Sequence, residues 1–297
     1  VIYIFKVIKK IRKLIDQQNP TTFLSFKNRV NVLSSIAISS FPRLNSIACE
    51  RTVVIEEQNI FWKLMRKLNY KNFKHIVTQD KFSSVWLKKN CLKLKDLNTI
   101  PNYLNLFKSS NKNKIFIKKN IEKKNIIISI GRLVETKQFS VLIDIFSKIS
   151  KSNKDWILVI LGDGPEKIKL MKKINDLDLR KKILLPGWVS NVDYWLKKSK
   201  IFAFTSRLEG FPNSLQQAVF RKKPSVAFDC LTGPSQLIDN NKNGFLIKLN
   251  DTEEFTKKLN LLMSNKRLRD KFSKNTKKIN LKFDEKKIIT KWKRIIT

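Results

Sequence analysis

From residue 125 to 248 short apolar runs alternate with amphipathic helical segments, and little else in the chain constrains its fold so strongly. "NIIISIGRL", "DWILVILGDG", "KILLPGW", "IFAFTS", "PSVAFDC" and "GFLIKL" read as strands. Between them "SVLIDIFSKIS", "PEKIKLMKKIND", "NVDYWLKKS", "NSLQQAVFRKK" and "PSQLIDNN" read as helices. Strands apolar on both sides need cover on both faces, which a right-handed alternation of strand and helix supplies, so the pattern predicts a parallel sheet in an α/β domain. Such sheets bind ligands beyond the carboxyl ends of their strands. The loops there are "GRLVETK", "GDGP", "GWVSN", "SRLEGFPN" and "DCLTGP".

A chain of 297 residues exceeds what one hydrophobic core usually organises, and two domains are expected. Upstream, "VNVLSSIAISSF" at 30–41 fits a buried helix, "KHIVTQD" at 74–80 a strand, "SSVWLKKN" at 83–90 a helix and "TIPNYLN" at 99–105 a turn. "KSSNKNKIFIKKNIEKK" at 108–124 has the composition of a solvated linker, which divides the chain into 1–120 and 121–284. The sequence begins at Val1 and opens directly in the apolar run "VIYIFKVIKKIRKLI", so the first domain is expected to lack its start.

The formal net charge of +38 directs attention to polyanions. Lysine supplies 50 of the 62 basic residues and arginine 12, without the interleaved aromatics of a single-strand platform or the spacing of a zinc finger or helix-turn-helix. Nucleic acid is therefore not expected as a partner. Helices such as "FKVIKKIRKLI" carry an apolar side beside a cationic one and suit peripheral contact with a membrane surface. No apolar stretch reaches the roughly 20 residues needed to span a bilayer. Cys49, Cys91 and Cys230 lie too far apart for a disulfide framework or a metal cluster, which points to a reducing compartment.

Each of the five loops has a glycine at or near the strand end, where backbone N–H groups can approach a ligand. Arg132 follows Gly131, and Lys137 lies five residues on; an Arg fork and a Lys point charge at one locus suit a diphosphate, the alternative being two solvated loop cations. Glu209 stands before the Gly210-Phe211-Pro212-Asn213 turn, either as a partner of the helix dipole or as an acceptor for sugar hydroxyls. Asp176 and Asp178 form "DLD" but end a helix ahead of a strand, on the wrong edge of the sheet for a metal site. His75, the single histidine, has no Cys or His companions and reads as structural; Asp163 in "GDGP" reads as fixing its loop.

"SIGRLVETKQFSVLIDIF", "LVILGDGPE", "LPGWVSNVDYWLKKSKIFAFTSRLEGFPNSLQQAV" and "VAFDCLTGPSQLIDNNKNGFLI" resemble the C-terminal half of glycosyltransferase family 4. More weakly, "ACERTVV", "WKLMRKLNYKNFKHIVTQD" and "IPNYLN" resemble its acceptor domain. The resemblance implies the GT-B fold, two Rossmann-like domains facing a cleft, with residues 285–297 as a helix crossing back to the first domain. It implies retaining transfer from a nucleotide sugar, UDP-N-acetylhexosamine or UDP-hexose, to a glycan or polyprenyl-linked acceptor at the cytoplasmic face of a membrane, in surface polysaccharide synthesis. No metal or other cofactor is implied.

Carried onto this sequence, the family pattern gives Arg132 and Lys137 the donor diphosphate and Glu209 the sugar hydroxyls, with the backbone at Gly131 and from Gly210 and Phe211 to Asn213 and Ser214 meeting sugar and phosphates. Trp188 and Val189 line the base, and Thr232 and Gly233 face the same site. Glu50 and Arg51 are acceptor-side candidates, a surface ion pair being their alternative. The family usually has a second Glu where this chain has Gln217, a change expected to weaken the hold on ribose hydroxyls by about 1–2 kcal/mol. Competing readings are a relative that keeps the fold without turnover and, less favoured, a basic nucleic-acid or membrane-binding module.

Overall fold

The computed structural model describes residues 2–55, 59–103 and 123–296, and the chain divides into two compact units, 1–103 with 285–297 and 104–284. The linker read at 108–124 and the boundary at 120 fall almost wholly outside the described residues.

In the first unit four parallel strands, β1 (Thr22–Phe26), β2 (Asn45–Cys49), β3 (His75–Thr78) and β4 (Asp96–Thr99), lie in sequential order. They alternate with α1 (Ile2–Gln18), α2 (Asn28–Ile38), α3 (Ile60–Asn69) and α4 (Lys81–Asn90). The expected buried helix is α2, whose Val32, Ala37 and Ile38 lie in the core. The strand expected at 74–80 stops at Thr78 because Asp80 is committed to the next element: its Oδ1 accepts from the Ser83 amide at 2.8 Å and caps α4. Val32, Tyr70, Phe73, Ile76 and Leu87 pack together under the sheet.

The second unit runs β5 (Asn125–Ile130), α5 (Phe139–Ser150), β6 (Trp156–Leu161), α6 (Lys167–Asp176), β7 (Ile183–Gly187), α7 (Val192–Lys198), β8 (Ile201–Phe204), α8 (Asn213–Phe220), β9 (Ser225–Asp229), α9 (Pro234–Leu237) and β10 (Gly244–Lys248). Two further helices, α10 (Thr252–Ser264) and α11 (Lys266–Asn280), follow, each started by a side-chain cap from Asp251 or Asn265. All six strands are parallel, in the order β10-β9-β8-β5-β6-β7. β6 is buried at every residue, as a strand covered on both faces must be. Ile127, Leu158, Ile160, Phe146 and Phe228 form its core, and the Phe255 ring of α10 meets Phe228 edge-on at 4.9 Å. Residues 234–241, read as one helix, yield a single turn: Asn243 donates to the Leu237 carbonyl at 3.0 Å and accepts from the Asp239 amide at 2.7 Å, closing a loop where the helix would have continued.

From α11 the chain returns to the first unit as α12 (Glu285–Ile296). There the carbonyls of Ile295 and Ile296 accept from Asn45 Nδ2 and Thr22 Oγ1, and Ile288 and Ile295 are buried.

Candidate active site in the second unit

Strand order reverses beside β5: β6 and β7 lie to one side, β8, β9 and β10 to the other. Crossovers leave β5 and β8 in opposite directions, which opens a crevice beyond their carboxyl ends. Gly131, Arg132 and Lys137 follow β5, and Thr205 to Asn213 follow β8, so the two loops with the most suggestive residues flank this one point.

The loops are tied to each other. Lys137 Nζ forms an ion pair with Glu209 Oε1, both side chains being largely withdrawn from water. Thr205 Oγ1 donates to the Lys137 carbonyl at 3.0 Å, and the Arg207 amide donates to the Thr136 carbonyl at 2.9 Å. Arg207 also pairs with Glu135 at 3.5 Å. Behind them, a Cβ on Gly162 would stand 1.9 Å from the Gly131 carbonyl at a φ of +139°, so only glycine lets the next loop close on the end of β5. Arg132, by contrast, is exposed.

α8 begins directly after Pro212 and has no side-chain cap; the Asn213 amide donates to the Phe211 carbonyl at 3.0 Å, and the start of the helix follows Glu209 by four residues. Thr232 is buried, and its hydroxyl donates to the Glu209 carbonyl. Gly233, at a φ of +98°, packs against the Pro212 ring. Glu209 is thus fixed through its side chain by Lys137 and through its backbone by Thr232. Gln217 is half-buried one turn into α8.

The remaining sequence candidates divide. Trp188 is 72% exposed after β7, presenting an indole face, whereas Val189 is buried. Phe211 turns its ring into the unit against Phe283, 5.8 Å between centroids, so only its backbone and that of Gly210 border the crevice. Asp163 binds the Gly164 amide at 2.8 Å and Lys167 at 2.9 Å, and the Lys167 bond holds its carboxyl below the usual range. Asp176 ends α6 and Asp178 follows in the turn before β7, on the side of the sheet where its strands begin. No cluster of metal-ligating residues occurs among the described residues. Thr205 went unread in the sequence; its one signal is a Thr immediately after a buried strand.

In the first unit Glu50 does not stand open to a ligand. It is 2% exposed at the end of β2, accepting from Asn31 Nδ2 at 3.2 Å and from the Tyr70 hydroxyl, and burial raises its pKa. The surface ion pair read as its alternative does not form either, because Arg51 turns instead to the Asn102 side chain, which also accepts from Gln79 at 2.6 Å. His75 bonds Asp96 at 2.7 Å across the β3–β4 pair, a structural contact.

The chain is 32% identical over 174 residues to the amylovoran biosynthesis glycosyltransferase AmsD of Erwinia amylovora, covering 59% of this chain and 48% of that one. It therefore spans about half the length of that relative. An uncharacterized glycosyltransferase of Haemophilus influenzae is 26% identical over 302 residues, 98% of this chain and 80% of its own. Among solved structures, Anabaena HepE in complex with UDP superposes with a TM-score of 0.79 at 17% identity, over 98% of this chain and 80% of that one, a likeness of GT-B fold. The family model described as glycosyl transferases group 1 matches residues 111–279, more than half of the chain, and the chain belongs to that family.

Proposed function

We propose that the protein transfers a sugar from a nucleoside-diphosphate sugar, UDP-N-acetylhexosamine or UDP-hexose, to a hydroxyl of a glycan or lipid-linked glycan, with retention at the anomeric carbon. The product serves surface polysaccharide synthesis. One observation carries the reading: Arg132, the Lys137–Glu209 pair and the uncapped start of α8 converge where the strand order reverses. The amylovoran biosynthesis in the name of the Erwinia relative and the UDP held by the Anabaena structure support it.

In this reading the donor diphosphate lies across the start of α8, with Arg132 and Lys137 as its cations. As the bond from anomeric carbon to diphosphate oxygen breaks, those groups and the helix amides stabilise the charge growing on the leaving oxygen. Two cations, Lys137 held by Glu209 and Arg132 at the exposed end of the loop, do the work a metal ion would otherwise do. Glu209 accepts hydrogen bonds from sugar hydroxyls and so orients the ring. The acceptor oxygen attacks the face the diphosphate leaves, and its proton passes to the departing phosphate oxygen. Trp188 offers its indole to the base. The acceptor is held at the cytoplasmic face of a membrane.

Calorimetric titration with UDP, GDP and UDP-N-acetylhexosamine tests the reading. Specific binding of one nucleotide, tightened by the attached sugar, is expected. A folded protein that binds none of the three would replace transfer by the alternative that Gln217 motivates, a relative that keeps the fold without turnover.

A further inference from the structure

α3, "IFWKLMRKLN", is amphipathic in the inverse of the usual sense. Its inward side carries a charge: Arg66 is 1% exposed, donates to the Val54 carbonyl at 2.8 Å and lies 4.6 Å over the Trp86 ring. Trp62 and Met65 pack beside it on the core. Outward, Ile60 is 80% exposed, and Phe61, Leu64 and Leu68 are each between 42% and 50% exposed. At 3.6 residues per turn these four fall within an arc of about 100°, and Lys63 and Lys67 border it on one side. Leu92, also exposed, extends the strip, because its amide bonds the Lys67 carbonyl at 3.0 Å and brings it against the end of α3.

Single exposed apolar residues are ordinary; a row of four with a fifth alongside calls for a partner. The charge of the chain selects among partners. A second copy would bring +38 against +38, whereas an anionic bilayer offers negative headgroups for Lys63 and Lys67 and an acyl boundary within reach of Phe61 and Leu64. No helix among the described residues is long and apolar enough to cross a membrane, so contact through this strip would be peripheral.

We propose that the outward face of α3 docks onto an anionic lipid surface, with the helix axis in the plane of the membrane and Ile60, Phe61, Leu64 and Leu68 entering the headgroup boundary. Its purpose rests on the proposed lipid-linked acceptor, which the same surface holds; its test does not.

The test is co-sedimentation of the full chain with vesicles of phosphatidylglycerol and phosphatidylcholine, beside the variant Phe61→Ser/Leu64→Ser/Leu68→Ser. The variant keeps every charge and alters only exposed side chains, and an unchanged circular dichroism spectrum and melting transition confirm its fold. Its vesicle binding should fall at least about tenfold, and the Phe61→Trp variant should add a blue-shifted emission component when vesicles are present. Equal binding by the parent and the triple variant, or no blue shift from Phe61→Trp beyond that of the parent, would overturn the proposal by leaving lysine charge as the whole attraction. So would a change in the monomer–dimer equilibrium of the triple variant without vesicles, since a second copy would then be the occupant. UDP titration separates the two readings: loss of nucleotide binding with vesicle binding intact refutes the transfer proposal alone.

Discussion

Replacing Gly233 by alanine should unlatch the loop after β8 from its neighbour after β9. Gly233 has φ +98° and ψ −50°, a region that residues with a Cβ occupy only under strain of about 1–3 kcal/mol. An added Cβ would also lie 2.1 Å from Pro212 Cδ and 2.8 Å from its Cγ. Pro212 is a closed ring fixed at the start of α8, so relief requires moving backbone, at about 1–3 kcal/mol for overpacking. Together Gly233→Ala should cost about 2–6 kcal/mol in urea unfolding of the second unit, read as a lower midpoint at unchanged slope. Gly131→Ala is the matched control. Its Cβ would meet nothing closer than Phe139 Cζ at 3.4 Å and Lys137 Cε at 3.5 Å, so stability should stay within about 1 kcal/mol. If the proposed diphosphate site is right, its methyl group enters the approach to it, and UDP affinity should fall about tenfold, or about 1.4 kcal/mol. An unfolding free energy for Gly233→Ala within about 0.5 kcal/mol of the parent would refute the packing argument.

Three other outcomes are expected. Glu209→Gln should weaken the sugar-bearing ligand relative to UDP by about 1.5–3 kcal/mol, the range for a hydrogen bond to a charged group, in paired calorimetric titrations. Gln217→Glu should tighten UDP by about 1–2 kcal/mol in the same titration, and an unchanged affinity would remove Gln217 from the ribose. Stability should fall on the alkaline side: burial pushes the thiols of Cys49 and Cys91 up to about 11 and that of Cys230 to about 12, from 9.0. Because the folded values are raised, that stability is complete below pH 9 and drains away as pH rises through them, with a slope approaching about 1.4 kcal/mol per pH unit for each thiol. Lys223, lowered by burial to about 8 from 10.5, acts in the opposite sense between those values, so the three thiols outweigh it above pH 9. Urea midpoints from pH 8 to 11 check the sign, and a Cys230→Ala chain should show the shallower decline.

The six-stranded sheet was legible because each of its strands is an apolar run with punctuation at its end, a local signal that burial on both faces requires. The loops at the reversal point were legible for the same reason, since strand ends fix where loops begin. What escaped notice depends on partners distant in sequence. Glu50 looks like any charged residue after a strand until Asn31 and Tyr70 close on it from two other elements. Phe211 reads as a turn residue, and its ring is claimed by Phe283, 72 positions later. Thr205 reaches a carbonyl 68 residues back. α3 escaped because helical periodicity shows which residues share a side but not which side faces inward, and Arg66 reverses the usual rule by finding Trp86 and the Val54 carbonyl inside.

The return of α12 imposes an order of assembly. Asn45 and Thr22 of the first sheet donate to carbonyls at 295 and 296, so the first unit waits for a segment synthesised after the whole of 104–284. At roughly 5–20 residues per second that delay is of the order of ten to forty seconds on the ribosome. The second unit, a continuous segment, can finish folding first. During the interval the edge of the first sheet and the apolar side that α12 will cover stay open to chaperones or to misassociation, so the unit made first is the one completed last.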